Sequence, residues 1–294
     1  MTLTDEVRSS AARIAENASW VSIQTSALAE IEPGPPPTLD GRFHYLEGSA
    51  ADVADYLLVL DTINFGSGWF PLLAKRSFDG CPLSGYFTVA WALAEHLRSN
   101  GPASGHWLRQ VSSTEIAEIL GQRPDLELMS LYAQALRALG TFLGERRALD
   151  LLELCGRSAE RLAAMLVEGM PMFADHGFYK RAQITASDLA LAGVAEFDDL
   201  DRLTVFADNL VPHVLRLDGV LIYERSLAKR IDAGETLALG GPEREIRACA
   251  VHACELISHR SGVPARVLDG WLWNRGQAPA YKQYPRHRCR TVFY

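Results

Sequence analysis

Phe197-Asp198-Asp199-Leu200-Asp201-Arg202-Leu203-Thr204-Val205-Phe206-Ala207-Asp208-Asn209-Leu210-Val211-Pro212-His213 is the stretch on which the reading of this chain turns. Apolar residues at 200, 203, 207, 210, 214 and 217 recur in steps of three and four, the spacing of one face of an α-helix. Pro212 interrupts the run, because it has no N–H and its ring would meet the carbonyl of Asp208 four residues back. The pattern therefore predicts two helices. Asp208 or Asn209 caps the second, and Pro212 lies in its first turn. A carboxylate at such a point is held in its charged form by the helix dipole and by backbone N–H groups. A fixed anion of this kind suits a reaction that builds positive charge on a sugar.

Composition narrows the choices further. The 294 residues are 48% hydrophobic, ample for a core and at the upper edge of one domain. A net charge of −7 argues against a binder of long nucleic acids, whose footprint is basic, yet a few local cations would still hold a small phosphorylated ligand. Lysine occurs only at 75, 180, 229 and 282, so Lys180 stands out in an arginine-rich chain. The cysteines at 81, 155, 249, 254 and 289 are odd in number and lack ligand-like spacing with histidines. They read as reduced thiols, with no metal or cofactor implied. Met1 to Ala18 has no signal-peptide centre and no apolar run nears membrane-spanning length, so a soluble, cytoplasmic protein is expected.

Helical signals dominate the rest. Thr4 to Ala18 is amphipathic, with Val7, Ala11 and Ile14 facing inward. Ser49-Ala50-Ala51-Asp52 and Ser112-Ser113-Thr114-Glu115 open helices by capping chemistry. Pro124-Asp125 precedes a longer helix carrying Leu128, Leu131, Ala135, Leu139 and Phe142. Residues 148–167 read as helical, and Gly241-Pro242-Glu243 starts a helix with Ile246, Cys249, Ala253 and Leu256 inward. Residues 263–273 close the series. Strand-like alternation is confined to Phe43-His44-Tyr45-Leu46 and the tail Arg286 to Tyr294. Between helices, Asn64 to Pro71 carries two glycines that allow a tight turn with exposed aromatic rings. The expected fold is mainly α, one domain over 1–294, with a minor β element near the termini.

Several clusters could carry chemistry. Asp198, Asp199 and Asp201 fit ordinary helix-capping positions, while Asp201 and Asp208 on one helix would lie on nearly the same face, about 10 Å apart. Tyr179-Lys180-Arg181-Ala182-Gln183 sets two cations beside an aromatic ring, either a solvated pair or a phosphate site. Arg286, Arg288 and Arg290 share one side of a strand, with His287 opposite. Asp269-Gly270-Trp271-Leu272-Trp273-Asn274 joins a carboxylate, able to accept the N–H groups of a guanine-like edge, to two indoles. Phe206, Phe65 and Trp69 are stacking candidates. His44 and His252 stand among apolar residues and read as satisfied core histidines.

Taken in order, Leu60-Asp61-Thr62-Ile63-Asn64-Phe65-Gly66-Ser67-Gly68-Trp69-Phe70-Pro71, Tyr179-Lys180-Arg181-Ala182-Gln183, Phe206-Ala207-Asp208, Glu243-Arg244-Glu245-Ile246-Arg247-Ala248-Cys249, Leu268-Asp269-Gly270-Trp271-Leu272-Trp273 and the arginine-aromatic terminus resemble the queuosine salvage protein family. The resemblance spans about residues 40 to 294. It implies hydrolysis of queuosine 5′-phosphate to queuine and ribose 5-phosphate, and a fold similar to the helix-hairpin-helix DNA glycosylases. No Leu-Pro-Gly-Val-Gly-type hairpin precedes Asp208, and no lysine stands where bifunctional glycosylases carry theirs. Phe293-Tyr294 replaces a terminal pair of tyrosines.

By this resemblance Asp208 is the catalytic nucleophile or electrostatic stabiliser. Asp269 meets the base edge, Phe206 stacks, and His44 contacts the modified base. Asp199 or Asp201 positions water or meets the base's aminomethyl-cyclopentenediol arm. Lys180, Arg181 and Arg288 hold the 5′-phosphate. No cofactor, metal, polymeric nucleic acid or membrane is implied, and the partner is the nucleotide itself. A DNA-repair base glycosylase and a non-catalytic nucleotide-binding protein are the alternatives.

Overall fold

Serine hydroxyls set many of the helix starts. In a computed structural model covering residues 1–294, Ser49, Ser84, Ser104, Ser112 and Ser158 each accept the backbone N–H three residues ahead. Each thereby satisfies a donor the first helical turn leaves without a partner. The helices Ala50–Thr62, Gly85–Asn100, Gly105–Gln110, Ser113–Leu120 and Ala159–Gly169 begin at these points. The long helix expected from 127 onward is Glu127–Leu143. The N-terminal helix runs Leu3–Glu16 with Val7 and Ala11 buried and Ile14 half-buried.

The longest helix is Pro242–Ser261, which packs against Leu3–Glu16, Val211–Leu217 and Ala265–Arg275. Its Ile246, Cys249, Val251, Ala253 and Ile257 are buried, whereas Leu256, expected inward, is 40% exposed. Helix Lys180–Leu191 packs on Ala50–Thr62 and Ala159–Gly169. These two groups share one continuous apolar core. No helix is long and apolar enough to cross a membrane.

Four local expectations need correction. Residues 148–167 form two helices, Ala148–Cys155 and Ala159–Gly169, because Gly156 and Arg157 both take positive φ and Ser158 caps a new start. Phe43 to Leu46 is not a strand: the N–H groups of Phe43 and His44 both return to the carbonyl of Asp40, closing a turn. The tail pairs only through Arg288–Cys289, parallel to Thr236–Leu237; two antiparallel pairs, Val21–Ile23 with Leu221–Tyr223 and Ser77–Phe78 with Cys81–Pro82, complete the β structure. Phe65 and Trp69 are buried rather than exposed. Gly66, at φ +96°, turns the chain so that these rings face inward, and Gly68 lies where a Cβ would come within 2.4 Å of the Cys289 carbonyl oxygen. That close approach brings the C-terminal tail along the 64–70 loop, where Gly66 N–H donates to the Tyr294 carbonyl at 2.9 Å.

The helix expected before Pro212 is also absent. Leu200–Arg202 is a single 3₁₀ turn, and residues 203–207 run extended through the interior before helix Val211–Leu217. Asp201 and Asp208 therefore share no helical face.

Candidate active site

An extended segment buried among helices has no sheet partner, so side chains must satisfy its backbone. Gln183 accepts the Thr204 N–H at 2.9 Å, and its amide donates to the Thr204 hydroxyl at 3.0 Å. Asp269 Oδ1 accepts the Phe206 N–H at 2.8 Å, and Arg247 Nε donates to the Ala207 carbonyl at 2.8 Å. Arg247 is in turn fixed by Asp175, at 3.0 and 2.5 Å, and lies over the rings of Phe178 and Tyr294. The pinned segment delivers Asp208 to the start of helix Val211–Leu217. There its Oδ1 accepts the Leu210 N–H at 2.6 Å and the Val211 N–H at 3.4 Å. Pro212 occupies the first turn, as the sequence pattern requires, but the N-cap residue is Leu210 rather than Asp208 or Asn209, so Asp208 holds the helix start from two residues ahead of the cap. The second oxygen, Oδ2, takes no protein donor, and the residue lines a cavity of about 320 Å³.

Two helices supply matching walls. Lys180, Ile184, Ser187, Asp188 and Leu191 form one row along helix Lys180–Leu191, at intervals of three and four residues. Arg266, Asp269, Gly270, Trp273 and Asn274 form the equivalent row on Ala265–Arg275. The loop at Pro37 to Asp40, His44, the turn at Asn64 to Phe70, and Tyr86 and Phe87 close the apolar end, while Phe206 and Tyr294 complete the lining. Trp273 meets Tyr86 and Phe87 edge-on at 5.5 Å. Aromatic walls with a few polar groups are the usual make-up of a small-molecule site.

The electrostatics are uneven. Burial, then the neighbouring Asp208 charge, pushes the Asp269 carboxyl up to about 7. Burial lowers the Lys180 ammonium, which donates to the Asn64 carbonyl and side-chain oxygen at 3.1 Å each. Arg286 reaches the cavity beside Asp208 with no ion pair or hydrogen bond of its own; burial lowers it as well. Lys75 and Lys282 are close enough to Arg286 to feel its repulsion, and Lys75 also feels Arg288.

The cavity thus gathers Asp208, Asp269, Phe206, His44 and Lys180, and leaves out four residues singled out in the sequence. Asp199 is taken up by helix Ala159–Gly169, accepting from the Ser158 hydroxyl and Ala159 N–H at 2.6 Å and from Glu160 N–H at 3.3 Å. Asp201 is a surface carboxylate paired with Arg266 at 2.7 Å. Arg181 is buried between Phe65 and Phe173 and donates to the carbonyls of Thr62, Met172 and Val292, which ties it to the scaffold. Arg288 lies on the tail strand outside the lining, and Arg286 takes the place on the wall. His44 has both ring nitrogens occupied, Nδ1 at the Asp40 carbonyl and Nε2 at the Tyr86 hydroxyl, 2.9 Å each, so it presents carbon to the cavity. Asp40, Asp188, Arg266 and Tyr86 were not singled out. Asp188 was findable, since it falls eight residues after Lys180 on the same helical face.

The queuosine salvage protein family model matches residues 43–294. A protein of Sphaerobacter thermophilus named queuosine 5′-phosphate N-glycosylase/hydrolase is 34% identical over 96% of this chain and 95% of its own. Proteins of the same name from Dictyostelium discoideum and Mus musculus are 32% and 30% identical, the first over 87% of this chain and 85% of its own, the second over 85% of each. The family match takes in every wall of the cavity except the loop at Pro37 to Asp40, and the chain belongs to the queuosine salvage protein family.

Proposed function

We propose that this chain hydrolyses the N-glycosidic bond of queuosine 5′-phosphate, releasing queuine and ribose 5-phosphate for salvage into tRNA. The observation that carries the reading is the Asp208 carboxylate. One oxygen is fixed by two backbone N–H groups and the other is left open to an aromatic-lined cavity. The names borne by the relatives point to the same reaction.

A 7-deazaguanine base has carbon where guanine has N7, so protonating that position cannot activate it as a leaving group. Stabilising the cationic ribose must then supply more of the barrier reduction. Asp208 meets that charge as nucleophile or as electrostatic partner, without reorienting during the reaction. Phe206 stacks on the base. Asp269, anchored through Phe206 N–H, turns its other oxygen to the N–H groups of the base edge. His44 and Tyr86 bound the end of the base pocket. Water adds at the anomeric carbon as the bond to the base nitrogen breaks, and the proton it releases balances the one taken up by the base. Lys180 and Arg286 hold the 5′-phosphate, and Arg286 replaces Arg181 and Arg288 in that role. No role in binding the nucleotide is assigned to Asp199 or Asp201.

The test is a turnover assay with queuosine 5′-phosphate and with queuosine. The expected result is release of queuine, with the nucleotide preferred through a lower KM. Intact nucleotide after long incubation with the folded chain overturns the reading. Arg286→Gln is expected to erase most of the preference for the phosphate while changing turnover of the nucleoside little.

A further inference from the structure

Of the carboxylates on the cavity wall, Asp188 alone has no protein partner. Asp208 accepts two backbone N–H groups, Asp269 accepts one, and Asp40 is bonded by Arg42. Asp188 is 6% exposed, and that exposure is to the cavity. Behind it, Asp61 ends helix Ala50–Thr62 fully buried; Oδ1 receives only a long bond from Asn64 at 3.4 Å and Oδ2 has no partner.

The surroundings hold little to balance two negative charges. Tyr56 reaches them from helix Ala50–Thr62, Tyr86 from Gly85–Asn100, and Asp269 from Ala265–Arg275. Lys180 is the cation that both acids share, and its ammonium is already bonded to Asn64; Arg181 reaches Asp61 alone, and its guanidinium is committed to the carbonyls of Thr62, Met172 and Val292. Burial pushes the Asp188 carboxyl well up, with the Asp61 charge next in weight; burial also raises Asp61, to about 7 against the pull of Lys180, Asn64, Thr185 and Arg181. Two ionised carboxylates sharing one lysine in a dry site are unfavourable, so the empty pair keeps a proton. A buried acid left in this way is completed by a ligand that brings a cation.

The proposed substrate carries one, the secondary amine of the base's aminomethyl arm, and this step rests on that reading. We propose that Asp188, backed by Asp61, is the counter-ion for the arm amine, and that the shared proton leaves when the arm enters. An amine arriving as ammonium forms the ion pair and sends the carboxyl proton to solvent. An amine of ordinary basicity is an ammonium at pH 7, so the net result there is release of the carboxyl proton. The cavity thereby reads the arm by charge as well as by shape, in the role the sequence had suggested for Asp199 or Asp201.

Titration calorimetry on the full chain at pH 7, in two buffers of different ionisation enthalpy, tests this with queuine and with 7-deazaguanine, the same ring without the arm. Both rings ionise Asp269 to the same extent, so queuine is expected to release about one proton more than 7-deazaguanine. Asp188→Asn should weaken queuine about thirtyfold or more and bring its proton release down to that of 7-deazaguanine, with 7-deazaguanine binding unchanged and serving as the check on folding. Asp61→Asn should lessen the release while keeping the ion pair. Wild-type affinity of Asp188→Asn for queuine, equal loss of both ligands, or equal proton release by queuine and 7-deazaguanine on the wild-type chain overturns the inference alone. Failure of the wild-type chain to bind queuine overturns it together with the substrate reading.

Discussion

Residues 198–202 and 203–211 adjoin in the chain and both carry aspartates, yet the structure treats them in opposite ways. In the first stretch every carboxylate is occupied: Asp198 by Arg157, Asp199 by the start of helix Ala159–Gly169, Asp201 by Arg266. In the second, Asp208 has one oxygen fixed and one free at a cavity. The difference lies in the backbone beneath. The 198–202 stretch runs along the surface, where two arginines and a helix start take up its acids, whereas the extended segment is drawn inside by Gln183, Asp269 and Arg247. A carboxylate becomes available for chemistry when its surroundings hold it without using both of its oxygens.

This contrast can be broken most decisively at Asp208. Asp208→Asn keeps an oxygen for the Leu210 and Val211 N–H groups, so the fold should be intact while turnover falls about a hundredfold or more. Wild-type turnover by the folded variant would place the chemistry elsewhere. Next comes the buried acid at Asp61, whose folded value of about 7 lies above that of an exposed carboxyl. Such a group favours the folded state below about pH 4 and loses that contribution as pH rises through 7. Asp61→Asn should therefore raise stability by about 2 kcal/mol at pH 8 and hardly at all at pH 4; denaturant titrations at both values check the sign. Asp199→Ala removes a cap and should cost about 1 kcal/mol with kcat unchanged. A loss of turnover out of proportion to stability would return Asp199 to the site. The smallest effect is expected at Asp201, the exposed partner of Arg266, where replacement by alanine should shift stability by less than about 0.5 kcal/mol and change turnover little.

The parts legible beforehand share a physical cause. Ser49, Ser112 and Pro242 mark helix starts because capping and proline geometry act within one turn of chain. Pro212 belongs to the same class, and so the start of Val211–Leu217 was legible although its N-cap, Leu210, and its approach were not. Paired cations were harder. Lys180 and Arg181 are adjacent, but consecutive helical residues point about 100° apart, so one reaches the cavity and the other enters the scaffold. The tail misled for a related reason: Arg286 lies outside the two-residue strand that carries Arg288, and strict alternation does not apply to it.

By itself the sequence determined a mainly helical chain, several of its helix starts, a carboxylate at Asp208 just ahead of one of them and the motifs of its family, because these are written in local spacing and residue type. Tertiary structure alone decided that 203–207 is extended. Its hydrogen-bond partners lie 21, 40 and 63 residues away, and no local periodicity can announce them. It also decided which charges are left open, because a carboxylate's partners come from whatever element packs against it.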